Sequence, residues 1–101
     1  MNKNSLTYEE RLLVDSFIRM KYPPIYKTDK TDRILFVELV EFDVCQYFLG
    51  RKQIKSEQYS YILNEYKRYL AQTDISMFDA YAKKHYRIIV ELIDLFVKYY
   101  E

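Results

Sequence analysis

The chain has 101 residues, the length of one domain, and a chain of this size can bury roughly two thirds of its extended surface in a single core. Half of its residues are hydrophobic (50%) and 31% are charged, which excludes the composition of a disordered protein. Sixteen Lys and Arg nearly cancel fifteen Asp and Glu, for a formal charge of +1, so the basic excess of a dedicated nucleic-acid binder is missing.

In chain order, Met1 to Glu10 contains no apolar stretch of the kind a secretory signal needs. Thr7-Tyr8-Glu9-Glu10 reads as a capping box: the threonine oxygen accepts the Glu10 N–H and the Glu10 carboxylate reaches back. Leu13, Val14, Phe17, Ile18 and Met20 then form one apolar stripe of a first helix. Pro23-Pro24 predicts its end near Tyr22, because a residue before proline is pushed out of the helical region. The stretch 23–31 reads as a connector, with Thr28, Asp29, Thr31 and Asp32 as alternative N-caps for the next segment.

Arg33 to Leu49 is the most apolar segment, and its polar residues Glu38, Glu41, Asp43 and Gln46 do not collect on one narrow face. It reads as a central helix buried nearly all round, with short strands as the alternative. Its length without a turn residue, and Gly50 at the C-terminal glycine position, favour the helix. Gly50 to Lys55 is a basic connector, and Ser56 reads as the next N-cap. Tyr59, Ile62, Leu63, Tyr66, Tyr69 and Leu70 recur at three-and-four spacing, a third helix ending at Thr73-Asp74. Ser76-Met77-Phe78-Asp79 caps a fourth, whose apolar side carries Phe78, Tyr81, Ile88, Ile89, Leu92, Leu95, Phe96 and Tyr99. Its other side offers three pairs at i,i+4, Asp79–Lys83, Arg87–Glu91 and Asp94–Lys98. With one glycine and two prolines in the whole chain, an all-β fold is disfavoured. The expected fold is all-α: a compact antiparallel bundle of about four helices forming a single domain over 1–101.

Catalytic chemistry finds little foothold. The single glycine excludes glycine-rich phosphate loops, and no nucleophile-elbow or zinc-protease motif occurs. Cys45, the only cysteine, sits in an apolar run without a basic flank and reads as an inert core thiol. A lone thiol also fits a reducing cytoplasm better than secretion. His85, the only histidine, falls on the apolar side of the fourth helix and reads as a half-buried residue hydrogen-bonded to a tyrosine or a carboxylate. Glu38 and Glu41 share a helix face at i,i+3, but the Glu-x-x-His step of carboxylate-bridged metal bundles is absent, and no metal or other cofactor is expected. The longest unbroken aliphatic or aromatic run, Ile34 to Val37, is far short of the roughly 20 residues of a membrane span.

What remains is binding. The favoured expectation is a small, soluble, non-catalytic protein-binding module (an adaptor, inhibitor or regulator), with a profile like that of small bacterial or phage-borne helical proteins. Its partner would be another protein or a second copy in a homodimer, since the apolar second segment needs cover. The 12 tyrosines read mainly as core-margin residues and secondarily as a contact face. The alternative is a nucleic-acid-binding protein. Residues 51–72 carry Arg51, Lys52, Lys55, Lys67 and Arg68 against Glu57 and Glu65, a local +3. Tyr61 would add a stacking ring to that face. Arg51, Lys52, Lys55, Tyr61, Lys67 and Arg68 are thus the candidate binding face.

Overall fold

The structure, a computed structural model, describes residues 6–28 and 33–100, the side chains of 27 and 28 excepted. Four helices account for most of these residues, and no strand occurs among them. Helix α1 is Tyr8–Arg19. Helix α2 runs over 33–48 without interruption, beginning as α-helix at Arg33–Leu39, widening to π-helix at Val40–Cys45 and closing with one α turn at Gln46–Phe48. Helix α3 is Ser56–Gln72 and helix α4 is Ala80–Tyr100.

The helix ends reflect the local chemistry. At the start of α1 the Glu10 N–H donates to Thr7 Oγ1 at 3.1 Å and the Thr7 N–H donates to Glu10 Oε1 at 2.9 Å, the expected capping box. The helix ends at Arg19, earlier than the proline pair requires. Met20 turns extended (φ −77°, ψ 139°), and this early exit lets Tyr22 reach across to donate its hydroxyl to Glu41 at 3.2 Å. Helix α2 closes on Gly50 at φ 74°, where the Gly50 N–H bonds to the Tyr47 carbonyl and the Arg51 N–H to the Gln46 carbonyl. This paired closure needs the left-handed backbone that glycine adopts without steric cost. Of the caps expected for α2, Asp29, Thr31 and Asp32 and the side chain of Thr28 lie outside the described residues.

Two other starts differ in detail. Helix α3 begins at Ser56, but the cap is Lys55, which makes no side-chain cap bond. Before α4, Asp74 caps a short 3-10 turn, Ile75–Met77, and Asp79 Oδ1 then accepts the Ala82 N–H at 2.9 Å. The Asp79 carboxylate opens the last helix because it directly precedes Ala80, whereas Ser76 is held inside the 3-10 turn.

The arrangement is an antiparallel one. Glu10 meets Lys98 and Tyr99 while Phe17 meets His85, so α1 and α4 run in opposite directions. Arg33 meets Gln72 and Thr73 while Asp43 meets Gln58, which fixes α2 and α3 the same way. The π-helical middle of α2 packs on both α1 and α4. A Cα radius of gyration of 13.3 Å matches the ~13 Å of a compact 100-residue domain. One apolar cluster joins all four helices, centred on Val14, Val37, Val40, Val44, Ile62, Ile89, Leu92 and Phe96.

The tyrosines belong mostly to this interior or its margin. Tyr26 and Tyr69 hydroxyls meet at 3.0 Å, Tyr99 donates to Glu10 at 2.6 Å, and Tyr100 donates to the Ile54 carbonyl at 2.8 Å. Each bulky ring fills apolar space while its hydroxyl closes a polar gap between two elements. A broad tyrosine-rich contact face is therefore not what these residues build. No helix among the described residues is long and apolar enough to cross a membrane.

Candidate functional site

The expectation that α2 is buried nearly all round is corrected by its outward face. Leu35 is 62% exposed and Phe42 56%, with the half-buried Leu39 between them. Leu35 and Leu39, four residues apart, share one helical face, and Phe42 follows in the π-helical turn, which shifts it from that line. Across from them on α3 stands Tyr61, 52% exposed. Contacts at both ends of the groove fix the spacing of the two helices. Phe36 stacks its ring 4.8 Å from Tyr69 and 5.8 Å from Tyr66. Arg33 donates to the Gln72 carbonyl at 2.9 Å and lies over the Phe78 ring. At the other end the buried Asp43 carboxylate accepts from Lys52 on one oxygen and Gln58 on the other.

Between these anchors lie two adjoining open depressions that share Leu39. One, about 470 Å³, is lined by Leu35, Phe36, Leu39, Tyr61, Glu65 and Arg68. The other, about 600 Å³, is lined by Leu39, Asp43, Lys52, Gln53, Lys55, Glu57 and Gln58. The structure thus brings Lys52, Lys55, Tyr61 and Arg68 to one groove. Lys67 is exposed but lines neither depression, because six residues from Tyr61 is most of the way to the opposite side of a helix. Arg51 is exposed on the loop after Gly50 and lines neither as well.

The electrostatics of the groove differ from the linear count. Three cations on its lining, Lys52, Lys55 and Arg68, meet three carboxylates, Asp43, Glu57 and Glu65. Lys52 is paired with Asp43, and Arg68 with Glu65 at 3.1 Å. The local +3 of residues 51–72 vanishes on this lining because Arg51 and Lys67 lie off it and α2 supplies Asp43 from outside that stretch. An apolar floor with paired charges at its edge is the make-up of a protein contact more than of a phosphate track.

The remaining sequence candidates are structural. His85 is wholly buried against Phe17, Tyr26 and Tyr22, with ring centroids at 5.5, 5.7 and 6.5 Å. Neither ring nitrogen has a hydrogen-bond partner, which corrects the expected tyrosine or carboxylate bond: the nearby Tyr22 and Tyr26 hydroxyls are taken by Glu41 and Tyr69. Desolvation pushes the imidazole down to about 4 from its ordinary 6.5. Cys45 is buried, and burial, with Glu41 nearby, pushes its thiol up to about 12, out of the nucleophilic range. Glu41 serves Tyr22.

Leu35, Leu39 and Phe42 count as core in the sequence pattern, and their exposure is the feature that pattern misses. The available signal was that eleven apolar residues in the 16 residues 33–48 exceed what a single contact stripe can cover. Comparison of the chain with protein-family models, with curated proteins and with solved structures finds no match.

Proposed function

We propose that the protein is a non-catalytic binding module, an adaptor, inhibitor or regulator, that docks a protein partner on the α2–α3 groove. The observation that carries this reading is exposed apolar surface on α2: Leu35, more than half exposed, lines the groove with Tyr61, and Phe42, also more than half exposed, stands further along the helix. Clustered exposed apolar surface with paired charge at its rim is what protein interfaces bury. The buried, unreactive Cys45 supports a place in the reducing cytoplasm. The nucleic-acid alternative retains Lys55, but Lys52 and Arg68 already hold carboxylates.

The test is capture of proteins from host lysate by the wild type and by Phe42→Glu, beside binding of DNA and RNA across a salt series. Protein capture lost in Phe42→Glu, with helix content retained, is the expected result. Binding of DNA or RNA that falls steeply with salt, disappears in the Lys52→Glu/Lys55→Glu variant and ignores Phe42→Glu would overturn the reading in favour of nucleic acid.

A further inference from the structure

We propose that Tyr22 is an acid-sensitive latch over His85. When the imidazole takes up a proton from solvent, the Tyr22 ring swings out from between His85 and Glu41. Water and the freed carboxylate then meet the charge, and the four helices stay folded.

The latch follows from how His85 is buried. It is wholly enclosed, and among the described residues neither of its ring nitrogens has a hydrogen-bond partner. A buried polar group left without a partner stores strain. Protonation makes both nitrogens donors and adds a charge, which the enclosed site leaves unmet. Three rings pack on the imidazole: Phe17 at 5.5 Å, Tyr26 at 5.7 Å and Tyr22 at 6.5 Å between centroids. Phe17 and Tyr26 are themselves buried, and the Tyr26 hydroxyl is tied to Tyr69 on α3. Tyr22 is only half-buried, so the route from the imidazole to solvent leads past its ring.

Little holds that ring in place. Met20 has already left α1 with an extended backbone, and the 3-10 turn of the connector begins at Pro24, so Lys21 and Tyr22 belong to neither element. Two side-chain bonds pin them: the Tyr22 hydroxyl donates to Glu41 at 3.2 Å, and the Tyr81 hydroxyl donates to the Lys21 carbonyl at 2.8 Å. The buried Pro23 and Tyr26 fix the connector beyond them. Glu38 acts on Tyr22 together with Glu41, so two carboxylates of α2 stand behind the ring and favour a cation at His85 once it has moved. On the other side Arg33 and Tyr86 act on Tyr26, and α1 faces the imidazole with Phe17. In water the imidazole charges below about 6.5, whereas the closed site resists. Each unit of pH below that value therefore favours the open form about tenfold more, until the closed form is itself protonated at about 4.

The chain has a single histidine and no tryptophan, so proton NMR follows the imidazole and fluorescence follows the indole of Tyr22→Trp without background. In the full chain the wild-type imidazole is expected to titrate between about 4 and 6.5 with unchanged helix content by circular dichroism. Tyr22→Ala is expected to bring that midpoint close to about 6.5. Acrylamide quenching of the Tyr22→Trp indole is expected to rise severalfold as the imidazole titrates, and to lose that rise in a His85→Leu background. That background also separates the imidazole from Glu38 and Glu41, and His85→Phe replaces it should His85→Leu fail to fold. An indole indifferent to pH while the imidazole titrates overturns the proposal, as does a rise that persists without His85. Loss of helix over the same range overturns it too, because opening is then global. So does a midpoint that Tyr22→Ala leaves unchanged, or an imidazole that takes up no proton above pH 4.

Discussion

Helices α2 and α4 are both rich in apolar residues, and they dispose of them differently. In α4, nine side chains including His85 are buried on one stripe, and its exposed large apolar residues, Tyr81 and Val97, are only 40% and 37% exposed. In α2 the buried set, Phe36, Val37, Val40, Val44, Cys45, Tyr47 and Phe48, is interrupted by a π-helical turn, and Leu35 and Phe42 are left more than half exposed. The wider turn changes the phase of the residues after it, so the first and second halves of α2 do not present one straight stripe. Apolar residues that build the core are thereby separated from apolar residues that have no place in it, and the second group belongs to the face proposed for docking.

Substitution of one phenylalanine from each helix breaks or sharpens the contrast most. Phe96 is fully buried among the rings of Tyr47, Phe48, Tyr59 and Tyr100. Phe96→Ala is expected to lose about 3–5 kcal/mol of stability in chemical denaturation, through lost transfer energy and the cavity left behind. Phe42→Ala, measured on dilute protein so that association contributes nothing, is expected to stay within about 0.5 kcal/mol of wild type. Equal losses would mean that α2 is as much a core helix as α4.

Within α4, His85 is the one polar member of the buried stripe. The unfolded chain takes up a proton at the ordinary pKa of 6.5, whereas the folded protein resists until about 4. Between those values the unfolded state binds more protons, so stability falls as pH drops through this window, by up to roughly 3 kcal/mol, and this loss is complete below it. Glu41, through Tyr22, and Arg33, beside Tyr26, are the charged groups that border the site. A second loss, from Glu10, sets in at lower pH, since bonds from Tyr99, Thr7 and Lys98 hold its carboxyl at about 2 instead of 4.5. In His85→Leu, urea midpoints at pH 7, 5 and 4 are expected to differ far less than in wild type. A wild-type midpoint that is flat from pH 7 to 4 would show that the imidazole reaches water.

The polar side of α2 supplies the next effect. Asp43→Ala removes the carboxylate that Lys52 and Gln58 share and is expected to cost about 1.5–3 kcal/mol, the scale of hydrogen bonds to a charged group. Asp43→Asn, which can still accept, is expected to cost less. Thermal melts of the two variants read the difference directly.

The legible parts of the molecule are those whose partners lie close in the chain. Thr7 with Glu10, Gly50 and the stripe of α4 each declare themselves locally: a cap and its partner lie three residues apart, and a stripe repeats with the helix period. The groove is not local. It depends on Asp43 crossing to Lys52 and Gln58, and on Phe36 meeting Tyr66 and Tyr69, pairings between helices that no spacing encodes. Counting charge along 51–72 therefore finds Lys52, Lys55, Tyr61 and Arg68 but cannot see the carboxylate that α2 brings to them. The early end of α1 is likewise not written in spacing, since what accompanies it is the bond of Tyr22 to Glu41 on another helix.

The smallest effect tests the surface side of α4, where the sequence pairs residues by spacing alone. Of the three i,i+4 pairs, Arg87–Glu91 forms, at 3.7 Å between two largely exposed side chains. Lys98 instead reaches Glu10 on α1 at 3.3 Å, and Asp79 is occupied as the helix cap. An exposed pair at 3.7 Å is screened by water and must hold two long side chains still, so Arg87→Ala is expected to change stability by about 0.3 kcal/mol or less. Lys98→Ala is expected to cost more, because its partner Glu10 is only 17% exposed and ties α1 to α4. Melting both variants in low and high salt distinguishes them: only the Lys98 effect is expected to survive screening. Equal, salt-sensitive losses would mean that the link between the two helices is held by surface charge and not by the capping box and the Tyr99 hydroxyl beneath it.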